Sequence, residues 1–382
     1  MPVNTQSYPD STGLTRRQCL LAAAGFAGWT APSLAFSTSG TGTTLAAAWE
    51  ADNRYQIGLV AVNEQGFSIQ YATPVPTRPH ALLVEAGGSL LAVARRPGDW
   101  LVRWRPGRPE QKPQWHWIDS DRRFNGHAVP SADGAMLWTT ETDLETAEGR
   151  LGVRNPASLE KIDEWNTHGM DPHELLVLPQ RVGAFPAGTL VVANGGIATL
   201  PETGRTKRYT ARMDASLVAL HPCTGARLGQ WRLADPYLSV RHLAWDARNQ
   251  RLGIALQAEH PSPDDRWRAP VLAIWDGESL AASPEAPDLR GYGGAVAALP
   301  EGGFLVGCPR ANVVAAFDGQ GRWSHNLDLA EACAVAVGPS QWWAGGSTGV
   351  LHADNRSRST ATLVAAKSIT RWDNHWQVWP FG

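Results

Sequence analysis

Gln56-Ile57-Gly58-Leu59-Val60-Ala61-Val62, closed by Asn63-Glu64-Gln65-Gly66, is a strand-length apolar run ending in a turn, and the same figure recurs along the chain. His80-Ala81-Leu82-Leu83-Val84 opens a second unit, with Gly87-Gly88 before Ser89 to Ala94. His127-Ala128-Val129 opens a third, turning at Ser131-Ala132-Asp133-Gly134 before Met136-Leu137-Trp138. A fourth begins at His173-Glu174-Leu175-Leu176-Val177-Leu178 and a fifth at His242-Leu243-Ala244-Trp245. The sixth runs from Gly294 to Leu299 and on through Gly303 to Gly307, and the seventh from Cys333 to Val337 and Trp342 to Ala344. The spacing is roughly 40 to 50 residues, the period of propeller blades. Each small sheet cannot hide both faces alone, so stacking against two neighbours and closing the circle is the economical burial. Trp372 to Trp379 alternates well enough to supply a strand that completes the blade begun by Thr44 to Trp49. The pattern therefore predicts an all-β chain, a seven-bladed β-propeller over residues 36–382; a pair of β-sandwiches explains the short strands but not the repeated starts.

Composition agrees. The 382 residues include 38 Gly, 27 Pro and 18 Trp, which suits many short strands joined by tight turns. Charged residues make up 18% with a formal net charge of -2, so there is no broad electrostatic case for nucleic acid or an anionic membrane surface. Thr15-Arg16-Arg17-Gln18-Cys19-Leu20-Leu21, the apolar stretch Ala22 to Trp29 and the small residues Ser33-Leu34-Ala35 read as a twin-arginine export signal over residues 1–35. The apolar run falls short of the roughly 20 residues that cross a bilayer, so no stable membrane insertion is expected. A cleaved, periplasmic product follows. Cys223, Cys308 and Cys333 remain, an odd number; Cys308 and Cys333 either pair across adjacent blades or stay as buried thiols.

Four unit starts carry histidine: His80, His127, His173 and His242. In a propeller the first strand of each blade borders the central channel, so residues distant in sequence converge at its mouth. Neutral imidazoles there would bind iron or another transition metal, with His127, His173 and His242 as the metal set; charged imidazoles would bind a small anion. The competing reading is structural, with each ring bridging backbone amides of adjacent blades. His168, Asp171 and Glu174 stand near His173 as oxygen donors or orienting groups. Arg78 and Arg241 precede blade-start histidines, and each is either a ligand fork or an interblade ion pair; Asn125 and Asn194 are further polar candidates. His375, between Trp372 and Trp376, adds a polar group near the closure, where the tryptophans read as blade packing. Glu141 and Asp143 offer oxygens to a cation, against a solvated-loop reading. The insertion Leu200 to Met213, with Arg205, Lys207, Arg208 and Arg212, reads as a solvated excursion or a protein-docking loop.

Several motifs in order, Phe124-Asn125-Gly126-His127, Thr140-Glu141, Thr167-His168-Gly169, Pro172-His173-Glu174-Leu175, Val191 to Ile197, Arg241-His242-Leu243 and Trp372-Asp373-Asn374-His375, resemble the exported bacterial family of domain of unknown function 1513. The resemblance implies a seven-bladed propeller of the YVTN and quinoprotein-like kind. It also implies a periplasmic setting beside iron-uptake proteins. His127, His173, Arg241, His242 and His375 fall on recurrent motifs, and the family carries no catalytic residues to transfer. Three functions are consistent with this pattern. The first is a ligand-binding or accessory propeller using His80, His127, His173, Arg241, His242 and His375. The others are a metal-dependent oxidoreductase or hydrolase at the same place, and a protein-interaction scaffold.

Overall fold

The computed structural model describes residues 42–63, 66–198, 213–284, 287–357, 360–365 and 371–381. Residues 1–35, with the proposed export signal, and the basic insertion around Arg205 to Arg212 lie outside the described residues. The chain forms seven antiparallel sheets in a ring, a seven-bladed β-propeller.

The innermost strands begin the blades at Pro79–Val84, Arg122–Pro130, Pro172–Val177, Leu238–Asp246, Ala295–Ala298 and Ala334–Val337. The remaining blade is shared between the two ends of the described chain. Thr43–Ala51, Arg54–Asn63 and Gly66–Val75 supply its outer part, while Arg371–Trp372 and Gln377–Val378 pair with the channel side of Thr43–Ala51. Closure by the C-terminal segment is thus as the alternation predicts.

Position in the blade sets the burial pattern. Second strands such as Leu90–Ala94 and Leu190–Asn194 are buried on both faces, because each is sandwiched between neighbouring blades. Outer strands alternate instead: Gln114–Trp117 and Trp323–Asp328 turn every second side chain to solvent. Seven apolar clusters hold the ring together, one at each junction of adjacent blades. The cluster that joins last blade to first contains Trp49, Trp343, Trp372 and Trp376, with Trp372 and Trp376 meeting edge to face at 5.0 Å. Gly345 is required beside them, since a Cβ there would stand 2.4 Å from the Trp376 ring. Truncating a buried tryptophan of this kind costs about 3 to 5 kcal/mol.

One sequence expectation is corrected here and one open alternative is decided. Glu141 and Asp143 are not a solvated loop: they lie in the strand Leu137–Asp143, and Glu141 is fully buried. Arg154, also fully buried, donates to Glu141 Oε1 at 2.7 Å and to Thr139 Oγ1 at 3.0 Å, so the cation beside this carboxylate is the chain's own guanidinium. Asp143 accepts from the backbone amides of Glu145 and Thr146 and caps a turn. Cys308 and Cys333 are both free thiols, and no disulfide joins them. Among the described residues, no helix is long and apolar enough to cross a membrane.

Candidate metal centre in the channel

Register explains how the imidazoles reach the channel. On Pro79–Val84, His80 and Ala81 together oppose Val93 alone, a β-bulge. His173 and Glu174 oppose Ala193, and Arg241 and His242 oppose Ala255, in the same two-against-one arrangement. Asn125, Gly126 and His127 oppose Thr140, three against one. In the closing segment, Asp373 to Trp376 span only Ala47 and Ala48 on the neighbouring strand, and His375 forms an isolated bridge with Val335 of the adjacent blade. A bulge leaves a residue outside the ladder, bends the strand and re-aims its side chain. The two inner strands without histidine, Ala295–Ala298 and Ala334–Val337, pair without interruption. Each of the four blade-start histidines therefore sits on a bulge, and the two bulge-free inner strands lack one.

The result is a compact group of rings. His80, His127, His173 and His242 each offer one nitrogen, all within 4.8 Å of one another, and all four residues are buried. The Nε2 atoms of His173 and His242 are 3.2 Å apart, and those of His80 and His173 are 3.4 Å apart. His375 packs against the group, with ring centroids 4.8 Å from His80, 4.7 Å from His127 and 4.6 Å from His242. The structure thus brings His80 into the trio of His127, His173 and His242, and sets His375 beside them. Gly126 makes the approach possible: its φ is +106°, and a Cβ would come within 2.6 Å of the His80 ring.

Carboxylates stand behind the rings. Glu174 Oε2 lies 3.1 Å from His242 Nδ1 and accepts from the Leu243 backbone amide at 3.0 Å, while Oε1 lies 3.8 Å from His127 Nδ1. Asp373 Oδ1 lies 3.9 Å from His80 Nδ1. The Glu174 carboxylate at hydrogen-bond distance from His242 Nδ1 keeps the proton there and turns that ring's Nε2 lone pair inward, while the longer contacts to His127 and His80 are electrostatic only. Burial, reinforced by the neighbouring rings and by Arg95, Arg96 and Arg241, holds the four imidazoles well below the ordinary histidine range, and His375 falls to about 4. Burial also raises the Glu174 carboxyl to about 7. The rings are neutral near pH 7, the state that binds metal.

Ring-to-ring and Glu174–His242 contacts run between blades, but bridging of backbone amides by the rings is not seen among the described residues. His80 Nδ1, His127 Nε2, His173 Nδ1 and His375 Nε2 are buried without a hydrogen-bond partner, and no backbone amide reaches the five rings among the described residues. One Nε2 proton on His173 satisfies at most one of its two neighbours. A cation held by the Nε2 atoms would take the buried lone pair of His127 Nε2, which otherwise goes unpaired at a cost of about 1 to 3 kcal/mol. Two of the spacings, 3.2 and 3.4 Å, match those around such an ion, and all four nitrogens lie within 4.8 Å of one another. Four nitrogens at about 2.0 to 2.1 Å from a tetrahedral metal stand about 3.3 to 3.4 Å apart.

Other sequence candidates serve different ends. Arg78 is an interblade ion pair, its Nε 2.7 Å from Asp373 Oδ2. Arg241 is buried 4.0 Å from Glu259, and its charge lowers His173 and His242 without its touching them. Asn125 pairs with Thr142, and Asn194 donates to the Thr167 carbonyl. Asp171 binds Arg96, while His168 is half-buried and stands outside the imidazole group. Sequence reading did not single out Asp373, Arg95 or Arg96. Their only signal is position, next to His375 and at the end of a second strand.

No curated protein matches this sequence significantly. Several solved propellers share the fold. A streptogramin B lyase is 12% identical with a TM-score of 0.53, over 80% of this chain and 87% of its own. A catalytically inactive virginiamycin B lyase from Staphylococcus aureus, solved with quinupristin, is 10% identical with a TM-score of 0.53, over 76% and 84%. A functionally unknown protein from Desulfotomaculum acetoxidans is 8% identical with a TM-score of 0.54, over 87% and 99%. At such identities the likeness is one of fold alone. The sequence family described as protein of unknown function DUF1513 matches residues 73–379, from just before the first channel histidine to just beyond the last. With most of the propeller matched and the motifs that carry the imidazoles included, the chain belongs to the DUF1513 family.

Proposed function

We propose that this propeller is a periplasmic metal-binding accessory protein that holds one divalent transition-metal ion between His80, His127, His173 and His242. The observation that carries this reading is the set of four buried imidazole nitrogens within 4.8 Å of one another, backed by Glu174 and Asp373. Imidazole donors suit zinc, copper, iron and nickel, and the natural affinity order ranks iron(II) below copper and zinc. Iron acquisition remains the context that the family resemblance supplies, with exported iron-uptake proteins as partners.

The donor count favours holding over chemistry. Hydrolytic metal sites keep an open position beside three protein ligands, whereas four imidazoles complete a tetrahedral set. Bound metal would supply the positive charge that the inward lone pairs lack, and the carboxylates would keep the rings oriented. The test is elemental analysis of the folded, purified chain, followed by titration with zinc, copper and iron(II) against a colorimetric chelator. One equivalent bound with sub-micromolar affinity supports the proposal. A well-folded chain that takes none of the three refutes it.

A further inference from the structure

The five channel rings are not equivalent. His80, His127 and His242 form a triangle, with ring centroids 4.9, 5.5 and 5.6 Å apart. His173 stands 5.2, 5.2 and 4.5 Å from those three, and His375 stands 4.8, 4.7 and 4.6 Å from the same three. Two rings at such similar distances from three shared neighbours would overlap if they lay on one side of the triangle. They therefore cap opposite faces, and no ring contact joins His173 to His375 among the described residues. The group is two four-ring cages with a common wall.

The cages differ in spacing, exposure and charge. On the His173 side, Nε2 atoms approach to 3.2 and 3.4 Å, and the four residues are buried. His375 is only half-buried, so solvent reaches the group past this ring, yet its Nε2 is buried without a hydrogen-bond partner. The carboxylates Glu174 and Asp373 act on His375 in the sense that favours a cation, against Arg95, whereas His173 feels Arg241 and Arg96. An arriving cation therefore meets the more favourable field at His375 and the tighter nitrogen spacing beyond it. Zinc passes through five-coordinate states, so one imidazole can join before another leaves.

We propose that His375 is the entry ligand of the channel: it takes the incoming ion together with rings of the shared triangle, and the ion then exchanges His375 for His173. The inference rests on the metal reading given above. Stopped-flow mixing of the full, metal-free chain with cobalt(II), whose visible absorption reports its donors, measures loading, and excess chelator measures release. His375→Ala and His375→Phe should each keep cobalt affinity within about threefold while slowing loading and release together by about tenfold or more, because a contact made only in passage lowers both rates equally. Phenylalanine retains the bulk of the ring and removes both nitrogens, which separates ligation from blockage. Unchanged rates in either variant, or faster loading in His375→Ala, overturns the entry role. So does a loss of affinity with faster release, which would make His375 a permanent ligand. Each of these leaves the site of His80, His127, His173 and His242 standing. A native chain that takes no cobalt overturns the metal reading, and the entry role falls with it.

Discussion

Glu174→Gln separates orientation from coordination in the channel. The carboxylate accepts from His242 at 3.1 Å and from the Leu243 amide at 3.0 Å with one oxygen, and faces His127 Nδ1 at 3.8 Å with the other. Glutamine keeps the shape but has one acceptor. If its oxygen stays with His242 and Leu243, its NH2 points at His127 Nδ1 and drives the proton to Nε2, which removes that nitrogen as a ligand. Loss of an orienting carboxylate typically weakens a metal about 10- to 100-fold, or about 1.4 to 2.7 kcal/mol, and the fourfold donor set places this variant toward the upper end. Stability of the metal-free chain should move the other way. The folded-state pKa of Glu174 is raised from 4.5 to about 7, so its favourable contribution is full below 4.5 and lost as pH rises through about 7. At pH 8 the native carboxylate is therefore a burden of at most about 3 kcal/mol, less in practice because a fifth of the side chain is exposed. Chelator competition with zinc at pH 8, together with urea unfolding of the metal-free variant, reads both effects. Unchanged zinc affinity, or a variant that loses stability at pH 8, refutes the role given to Glu174.

His173→Ala removes the nitrogen that approaches two others at 3.2 and 3.4 Å, and zinc affinity should fall by more than about 100-fold with the far-ultraviolet spectrum retained. Equal affinity in a titration would place the metal elsewhere. Five imidazoles with depressed pKa values stabilise the metal-free fold above about pH 6.5, and that contribution is lost as pH falls through their folded values, near 4 for His375. Glu174 opposes this trend with one group, so urea midpoints should drop between pH 6.5 and 4; a flat profile contradicts the burial of neutral rings. Gly126→Ala strains a φ of +106° and presses a Cβ to 2.6 Å from the His80 ring, for a loss on the order of 1 to 3 kcal/mol in urea unfolding and weaker zinc binding. Wild-type values in both assays would show that the close approach is dispensable.

The blades were legible because each inner strand begins an apolar run after a polar start, and the tryptophan-rich C-terminal segment alternates as a closing strand must. His80, His127, His173 and His242 were legible for the same reason, since matching places in a circular repeat converge, whereas His375 was marked only by its place near the closure and by the family motif. Their bulges were not. An extra residue in a strand changes which residue it faces across the ladder while leaving composition intact. The partners of the rings were equally hidden: Asp373 and Arg78 are 295 residues apart and meet only when the ring closes. Glu141 misled because Thr140-Glu141-Thr142-Asp143 is a polar run, and the residue that makes its burial tolerable, Arg154, lies on the next strand.

The central claim is tested most directly by X-ray absorption at the zinc edge on the full chain loaded with one equivalent of zinc. The structure predicts four nitrogen donors at about 2.0 to 2.1 Å, with the outer-shell scattering of imidazole rings. A first shell of oxygen or sulfur, or fewer than three imidazoles, would contradict a metal held by His80, His127, His173 and His242.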